Sequence, residues 1–300
     1  MKIFITGGLG FIGRHLSNFL LRQGHHVTAV GTRPDQNLIN DENFRYISAD
    51  TTRKGTWQDA LQDTDVVINL AGRQIFKRWT KTYKQLIHDS RILTTRNLVE
   101  SLSANKEIIL CSASGIGYYG DRGDDMLTER EPVGSDFLAG VSRDWEAEAL
   151  RAEEKGVRVV TTRFGVVLGK DGGAMEKMVP AFRFFLGGPL GSGRQWFPWI
   201  HIEDLVLAVN FILEHEDIKG PVNFCAPNPV TNRDFANAMG HVLRRPAIMP
   251  APSFMIRLVM GEFGDLMLFS QRAMPEKLLS CGFTFNYPEV EGAIRDIVEA

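Results

Sequence analysis

Cysteine is scarce in this chain: Cys111, Cys225 and Cys281 are the only ones in 300 residues. So sparse and odd a set excludes a disulfide framework and suits reduced thiols in a cytoplasmic compartment. None stands at metal-ligand spacing, and His25-His26 has no further ligand in register, so no metal site is expected. No apolar run approaches the ~20 residues that cross a bilayer. The amino terminus lacks the basic, apolar and small-residue zones of a signal peptide, and no membrane partner is expected. Neither sign of charge prevails: 34 Lys and Arg oppose 36 Asp and Glu, leaving a net charge of −2. That balance removes the basic footprint of a nucleic-acid binder. The remaining composition, 44% hydrophobic and 23% charged, is that of an ordinary globular protein. The length suffices for one large α/β domain or a domain with a smaller lobe.

What is present begins at the first strand. Ile3 to Ile5 reads as a buried strand, and Thr6-Gly7-Gly8-Leu9-Gly10-Phe11-Ile12-Gly13-Arg14 follows it directly. Phe11, Ile12, Leu16, Phe19 and Leu20 then recur at helical spacing. Strand, glycine turn and helix together bring a diphosphate to a helix N-terminus, where free N–H groups and the positive dipole end point at it. Gly7 allows the tight turn, Gly10 the approach of backbone to phosphate, and Gly13 close packing of helix on strand. A mononucleotide phosphate loop is excluded, because the nearest approach to it, Gly165 to Asp171, has the wrong spacing.

Strand and helix alternate through the first half. Strands are expected at His26–Val30, Phe44–Ile47, Asp65–Leu70, Glu107–Cys111 and Val157–Thr162. Long helices are expected from about Thr80 to Ser103 and from about Asp136 to Lys155. Such alternation predicts an α/β fold with a doubly wound parallel sheet. Glycine and proline become dense after Gly187, and shorter helices are expected at Ala174–Leu186, Glu203–Glu214, Asn232–Leu243 and near Ser253–Met260. We read residues 1–165, with about 196–220, as the nucleotide-binding domain. Residues 166–195 and 221–300 form a smaller substrate lobe over the carboxyl ends of the strands.

In an NAD site an acid near the end of the second strand takes the ribose hydroxyls. Here that stretch is Val30-Gly31-Thr32-Arg33-Pro34. Arg33 offers a cation where a 2′-phosphate would sit, and Arg14 can reach the same place, so NADP(H) is preferred over NAD(H).

Five segments now stand together: Thr6 to Gly13, Asn69-Leu70-Ala71-Gly72, Ser112-Ala-Ser114-Gly-Ile-Gly-Tyr118-Tyr119-Gly120, Arg163 to Gly169, and Trp199-Ile-His201-Ile-Glu-Asp204. They resemble the extended short-chain dehydrogenase/reductase superfamily, in its epimerase-like branch of NAD(P)-binding oxidoreductases. The likeness covers essentially the whole chain. It implies a Rossmann-type core, a C-terminal substrate lobe, a nicotinamide cofactor and dimerisation through the two long helices. It also implies cofactor contacts at Gly7, Gly10, Phe11, Ile12, Gly13, Arg14, Arg33, Ser112 and the run from Asn69 to Gly72.

The same resemblance exposes a defect. Members ordinarily use a Tyr-x-x-x-Lys pair, in which the lysine lowers the tyrosine pKa, together with an earlier serine; this is general acid–base catalysis by a tuned group. Ser114 takes the serine role. Leu138 stands where the tyrosine belongs and Ser142 where the lysine belongs, and no Tyr-x-x-x-Lys string exists anywhere in the chain. Tyr118 and Tyr119, after the fifth strand, are the replacement candidates.

His201 reads as structural, with Asp204 as its hydrogen-bond or capping neighbour. Arg73, Gln74 and Trp79 follow the fourth strand, and Arg194, Gln195 and Trp196 end a glycine-rich loop. Arginines with aromatic walls suit a small polar substrate, sugar-like or carboxylated. The sequence therefore points to an NADP-dependent, epimerase-like oxidoreductase with weakened acid–base catalysis. The alternative is a non-catalytic NADP(H)-binding sensor or scaffold.

Overall fold

The structure, a computed structural model that describes residues 1–104 and 107–299, is built on seven parallel strands. In chain order they are β1 (Lys2–Thr6), β2 (His26–Gly31), β3 (Phe44–Ser48), β4 (Val66–Asn69), β5 (Ile109–Gly115), β6 (Arg158–Phe164) and β7 (Gly220–Phe224). Their spatial order is β7-β6-β5-β4-β1-β2-β3, so the chain reverses direction across the sheet beside β1. Helices α1 (Phe11–Arg22), α2 (Lys81–Ser101), α3 (Phe137–Leu150), α4 (Met175–Arg183) and α5 (Ile202–Glu214) follow in chain order.

Strand periodicity explains the layers. Ile3 and Ile5 point to one face, where they join Leu16 and Leu20 of α1 and Leu205 and Val209 of α5 in one core. Phe4 points to the other and packs with Leu98 of α2, Ala149 of α3, Val67, Leu110 and Val159. Both faces are thus covered, and the doubly wound α/β fold expected from the sequence is present.

Six of the seven strands match the sequence reading. The fifth begins at Ile109 and runs on to Gly115, carrying Ser112 and Ser114 inside the sheet. The seventh, Gly220–Phe224, was not anticipated, because Gly220 and Pro221 read as breakers. Proline is tolerated there because β7 is an edge strand, paired only with β6. The long helices are shorter than expected. Thr80 caps α2 by accepting from the Tyr83 amide. Asp136 caps α3, which gives way after Leu150 to a 3-10 turn ending at Gly156.

A third core, with Leu168, Met175, Trp199, Phe235, Met239 and Ile294, holds the C-terminal half together. It is joined to the sheet by short strand pairs. Val166–Leu168 pairs with Trp199–His201. Arg272–Ala273 pairs with Met126–Leu127, in the loop after β5. Two later helices, α6 (Asn232–Leu243) and α7 (Ser253–Met260), belong to the same half. Among the described residues no helix is long and apolar enough to cross a membrane. Cys111 and Cys225 are buried and Cys281 is exposed, all as free thiols.

His201 and Asp204 do not pair with each other. His201 is the N-cap of α5, its Nδ1 accepting from the Glu203 amide, and its Nε2 lies 3.3 Å from Asp296. Asp204 is fully buried and instead accepts from the amides of Asn286 and Tyr287, at 2.7 and 3.0 Å. It therefore ties the carboxyl-terminal segment to α5. Asp204→Ala strands two amides, and we expect it to destabilise the fold by about 2–4 kcal/mol, measured as a lowered urea midpoint with unchanged slope.

Candidate functional site

The site is assembled at the carboxyl edge of β1, β4 and β5. Thr6 ends β1, and its hydroxyl donates to Asn69 Oδ1 at 2.7 Å. The amides of Leu70 and Ala71 donate back to Thr6 Oγ1, both at 3.1 Å. This clasp holds the loop after β4 against the glycine turn. Gly7 has φ +69°, and a Cβ there would stand 3.2 Å from the Leu70 carbonyl carbon. Gly13 is tighter: its Cβ would lie 2.4 Å from Gly7 O and 2.7 Å from Gly8 Cα. Only hydrogen fits where α1 crosses the turn.

Gly10 is exposed and forms the N-cap of α1, without a side-chain cap and with no acidic residue in the first turn. The opening amides of a helix have no partners within it. The Gly10 amide donates to Gly7 O at 2.9 Å, while those of Phe11, Ile12 and Gly13 present donors on a helix N-terminus free of competing side-chain acceptors. That donor set fits a diphosphate.

The Phe11 side chain turns elsewhere. Its ring fills the space beside Gly169, Gly172 and Gly173, where added Cβ atoms would come within 2.4–2.9 Å of ring atoms. Arg14 leans the same way, donating to Asp171 O at 3.3 Å. Arg33 lies just beyond β2, exposed, and its guanidinium has no ion-pair partner among the described residues. Asn69 and Ser112 face inward: Asn69 is fully buried and donates to Thr95 and Ser112. They lie beneath the loop of Leu70, Ala71 and Gly72, which Thr6 holds against the glycine turn.

The catalytic candidates lie in a buried polar network. Ser114 donates to Glu146 Oε1 at 2.7 Å. Arg163 meets Glu146 through two parallel bonds of 2.8 Å and donates a third, also 2.8 Å, to the Tyr119 hydroxyl. Tyr119 in turn donates to Asn223 Oδ1 on β7 at 2.7 Å. Arg163 is 2% exposed and Glu146 7%, so this is a desolvated ion pair with its hydrogen bonds supplied by neighbours. Burial opposes the Arg163 charge, but Glu146 and Tyr119 outweigh it and hold the guanidinium firmly protonated. Burial drives the Tyr119 phenol well above its ordinary pKa. Tyr119 is a donor committed to structure. Tyr118 packs its ring 3.6 Å from the Arg163 guanidinium carbon, and its hydroxyl bonds to no described side chain.

The substrate candidates divide. Trp79 is buried against Phe137 and Phe263 and borders a groove of about 460 Å³ with Lys84, His88 and Glu262. Arg73 and Gln74 are exposed on the loop after β4. Arg194 is exposed, whereas Gln195 is buried and donates to Leu190 O. Trp196 donates to Asp124 at 2.8 Å, on the loop after β5, and stacks under Arg272. The lobe therefore reaches the loop that carries Tyr118.

Sequence reasoning missed Glu146, Arg163, Asn223 and Arg272. The available signal was a lone arginine in the apolar run Val159-Val160-Thr161-Thr162-Arg163-Phe164 and a glutamate on the buried stripe of α3. A charge in such a run demands a buried partner.

The chain's similarities agree with this geometry. The family model described as NAD dependent epimerase/dehydratase family matches residues 3–225, and a domain of unknown function, DUF1731, matches residues 251–297. The chain is 41% identical to "Epimerase family protein SH2119" of Staphylococcus haemolyticus over all of both chains. A crystal structure of human epimerase family protein SDR39U1 (isoform 2) with NADPH matches with TM-score 0.89 and 32% identity, over 100% of this chain and 99% of that one. UDP-glucuronic acid 4-epimerase from Bacillus cereus, in complex with UDP-glucuronic acid and NAD, shares the fold at TM-score 0.82 and 19% identity, over 100% of this chain and 98% of that one.

Tyr119→Phe separates structure from chemistry. It leaves Asn223 and Arg163 each short of a partner, so we expect a loss of about 1–3 kcal/mol in thermal unfolding. Dinucleotide affinity, read by fluorescence titration, should not change.

Proposed function

Because the chain belongs to the NAD dependent epimerase/dehydratase family, we propose that it is an NADP(H)-binding, epimerase-like oxidoreductase. Its substrate is a small polar molecule, sugar-like or carboxylated, and its acid–base catalysis departs from the Tyr-x-x-x-Lys pattern. The observation that carries this reading is the glycine-built N-terminus of α1 beside an exposed, unpaired Arg33, where an NAD site would offer an acid. The NADPH in the human relative supports the choice.

When bound, the nicotinamide supplies hydride exchange at its ring. The chain supplies the rest. The amides at the start of α1 take the diphosphate, and Arg33 takes the 2′-phosphate as a planar cation. Leu70 to Gly72 cover the ribose side. Arg163 and Glu146 fix the loop after β5, and Tyr118 is the tyrosine of that loop whose hydroxyl is left for a substrate proton. Leu138 packs beside Gly117 and carries no proton to exchange.

One observation favours a second reading, a cofactor-dependent sensor or scaffold: Ser114 and Tyr119 spend their hydroxyls on the buried network. NADPH consumption with carbonyl compounds tells the two apart. The cofactor assignment itself is tested by titration. The wild type should bind NADPH more tightly than NADH, and Arg33→Ala should weaken NADPH by roughly 10- to 100-fold while leaving NADH within about 2-fold. Equal affinity of the wild type for both nucleotides overturns it.

A further inference from the structure

Arg91 is a cation without a counter-charge. It projects from α2 beneath the loop after β4, where its Nη1 donates to the carbonyl oxygens of Arg73 at 3.2 Å and Ile87 at 3.0 Å. A Cβ on Gly72 would lie 3.0 Å from its guanidinium carbon, so the loop rests directly on it. The Trp145 ring of α3 stands 5.1 Å away. No carboxylate of the described residues pairs with it, and Nε and Nη2 bond to no protein group. Burial lowers its pKa to about 10, only partly offset by Tyr83, so it is still charged at neutral pH. The side chain is half-buried, with its Nη1 held by two carbonyls and the rest of its guanidinium free of protein partners, and a cation fixed this way is suited to an anion delivered by a ligand.

Its position identifies the ligand's end. Arg33 follows β2, on one side of the glycine turn, and would take the 2′-phosphate. The α1 N-terminus takes the diphosphate at β1. A dinucleotide laid across the sheet in this direction runs next over β4 and β5, where Gly72 and Arg91 lie. The cofactor's phosphates are then already matched.

We propose that Arg91 is the anchor for a carboxylate or phosphate group of the substrate, held beside the nicotinamide end of the crevice. This deepens the function proposed above and rests on its reading of the glycine turn as a dinucleotide site. Gly72 leaves the guanidinium room, since a Cβ there would crowd it at 3.0 Å. Arg73, exposed on the same loop, supplies a second cation. An acidic substrate would thus be bound by a fixed fork of donors, with its reacting carbon held toward the Tyr118 loop.

Inorganic phosphate serves as the probe, titrated by calorimetry into the NADPH-loaded protein. The wild type should bind it, Arg91→Met should weaken it at least 10-fold, and Arg91→Lys should fall between. NADPH affinity should stay within about 2-fold in both variants, because the cofactor's phosphates lie elsewhere. The melting temperature of the unloaded Arg91→Met protein should change little, since the side chain is only half-buried and makes no ion pair. A 10-fold loss of NADPH affinity in Arg91→Met would mean that the anion belongs to the cofactor, and would overturn the substrate assignment. Phosphate binding that is absent, or unchanged by Arg91→Met, would overturn the anchor. With NADPH still bound in either case, the dinucleotide reading would stand.

Discussion

The architecture turns on one close approach, the crossing of α1 over the glycine turn at Gly13. The space between the helix backbone and Gly7 O is smaller than a methyl group needs. A packed interior cannot absorb such an excess without moving an element. The position of α1 on the sheet is therefore set by a missing side chain, and the height of its first amides above β1 is set with it. The Thr6 clasp to Leu70 and Ala71 acts in the same direction, since it brings the loop after β4 down onto the same turn.

A second constraint governs the other half of the crevice. The Arg163–Glu146 pair draws Ser114 and Tyr119 into a buried network. A buried pair of this kind contributes little net stability, but removal of either partner leaves the other charge uncompensated. Its effect is positional. It joins α3, β5, β6 and, through Asn223, β7, so the floor beneath Tyr118 is rigid. Leu138 and Ser142 of α3 offer no acid–base pair, whereas Tyr118 and Tyr119 lie on the loop after β5.

Local patterns made much of this visible in the sequence. The glycine turn, the alternation of strands and helices, and the starts of the two long helices near Thr80 and Asp136 are encoded by neighbours a few residues apart. The edge strand Gly220–Phe224 was hidden because its first two residues signal a break, and only its pairing with β6 overrides them. The ionic network was hidden for a different reason. Glu146, Arg163, Asn223 and Ser114 sit on four separate elements, and each alone reads as an isolated polar residue. Phe11 illustrates a third limit: its backbone serves the turn, as the spacing implied, while its ring serves a distant loop that spacing cannot reveal.

That ring has a consequence for recombination between relatives. Phe11 is seated among Gly169, Gly172 and Gly173, so the helix that follows the glycine turn is also keyed into the segment that leads to the lobe. The two pieces of chain are a matched lock. A chimaera that takes its amino-terminal half from one homologue and its lobe from another must transfer the aromatic key and its three-glycine keyway together.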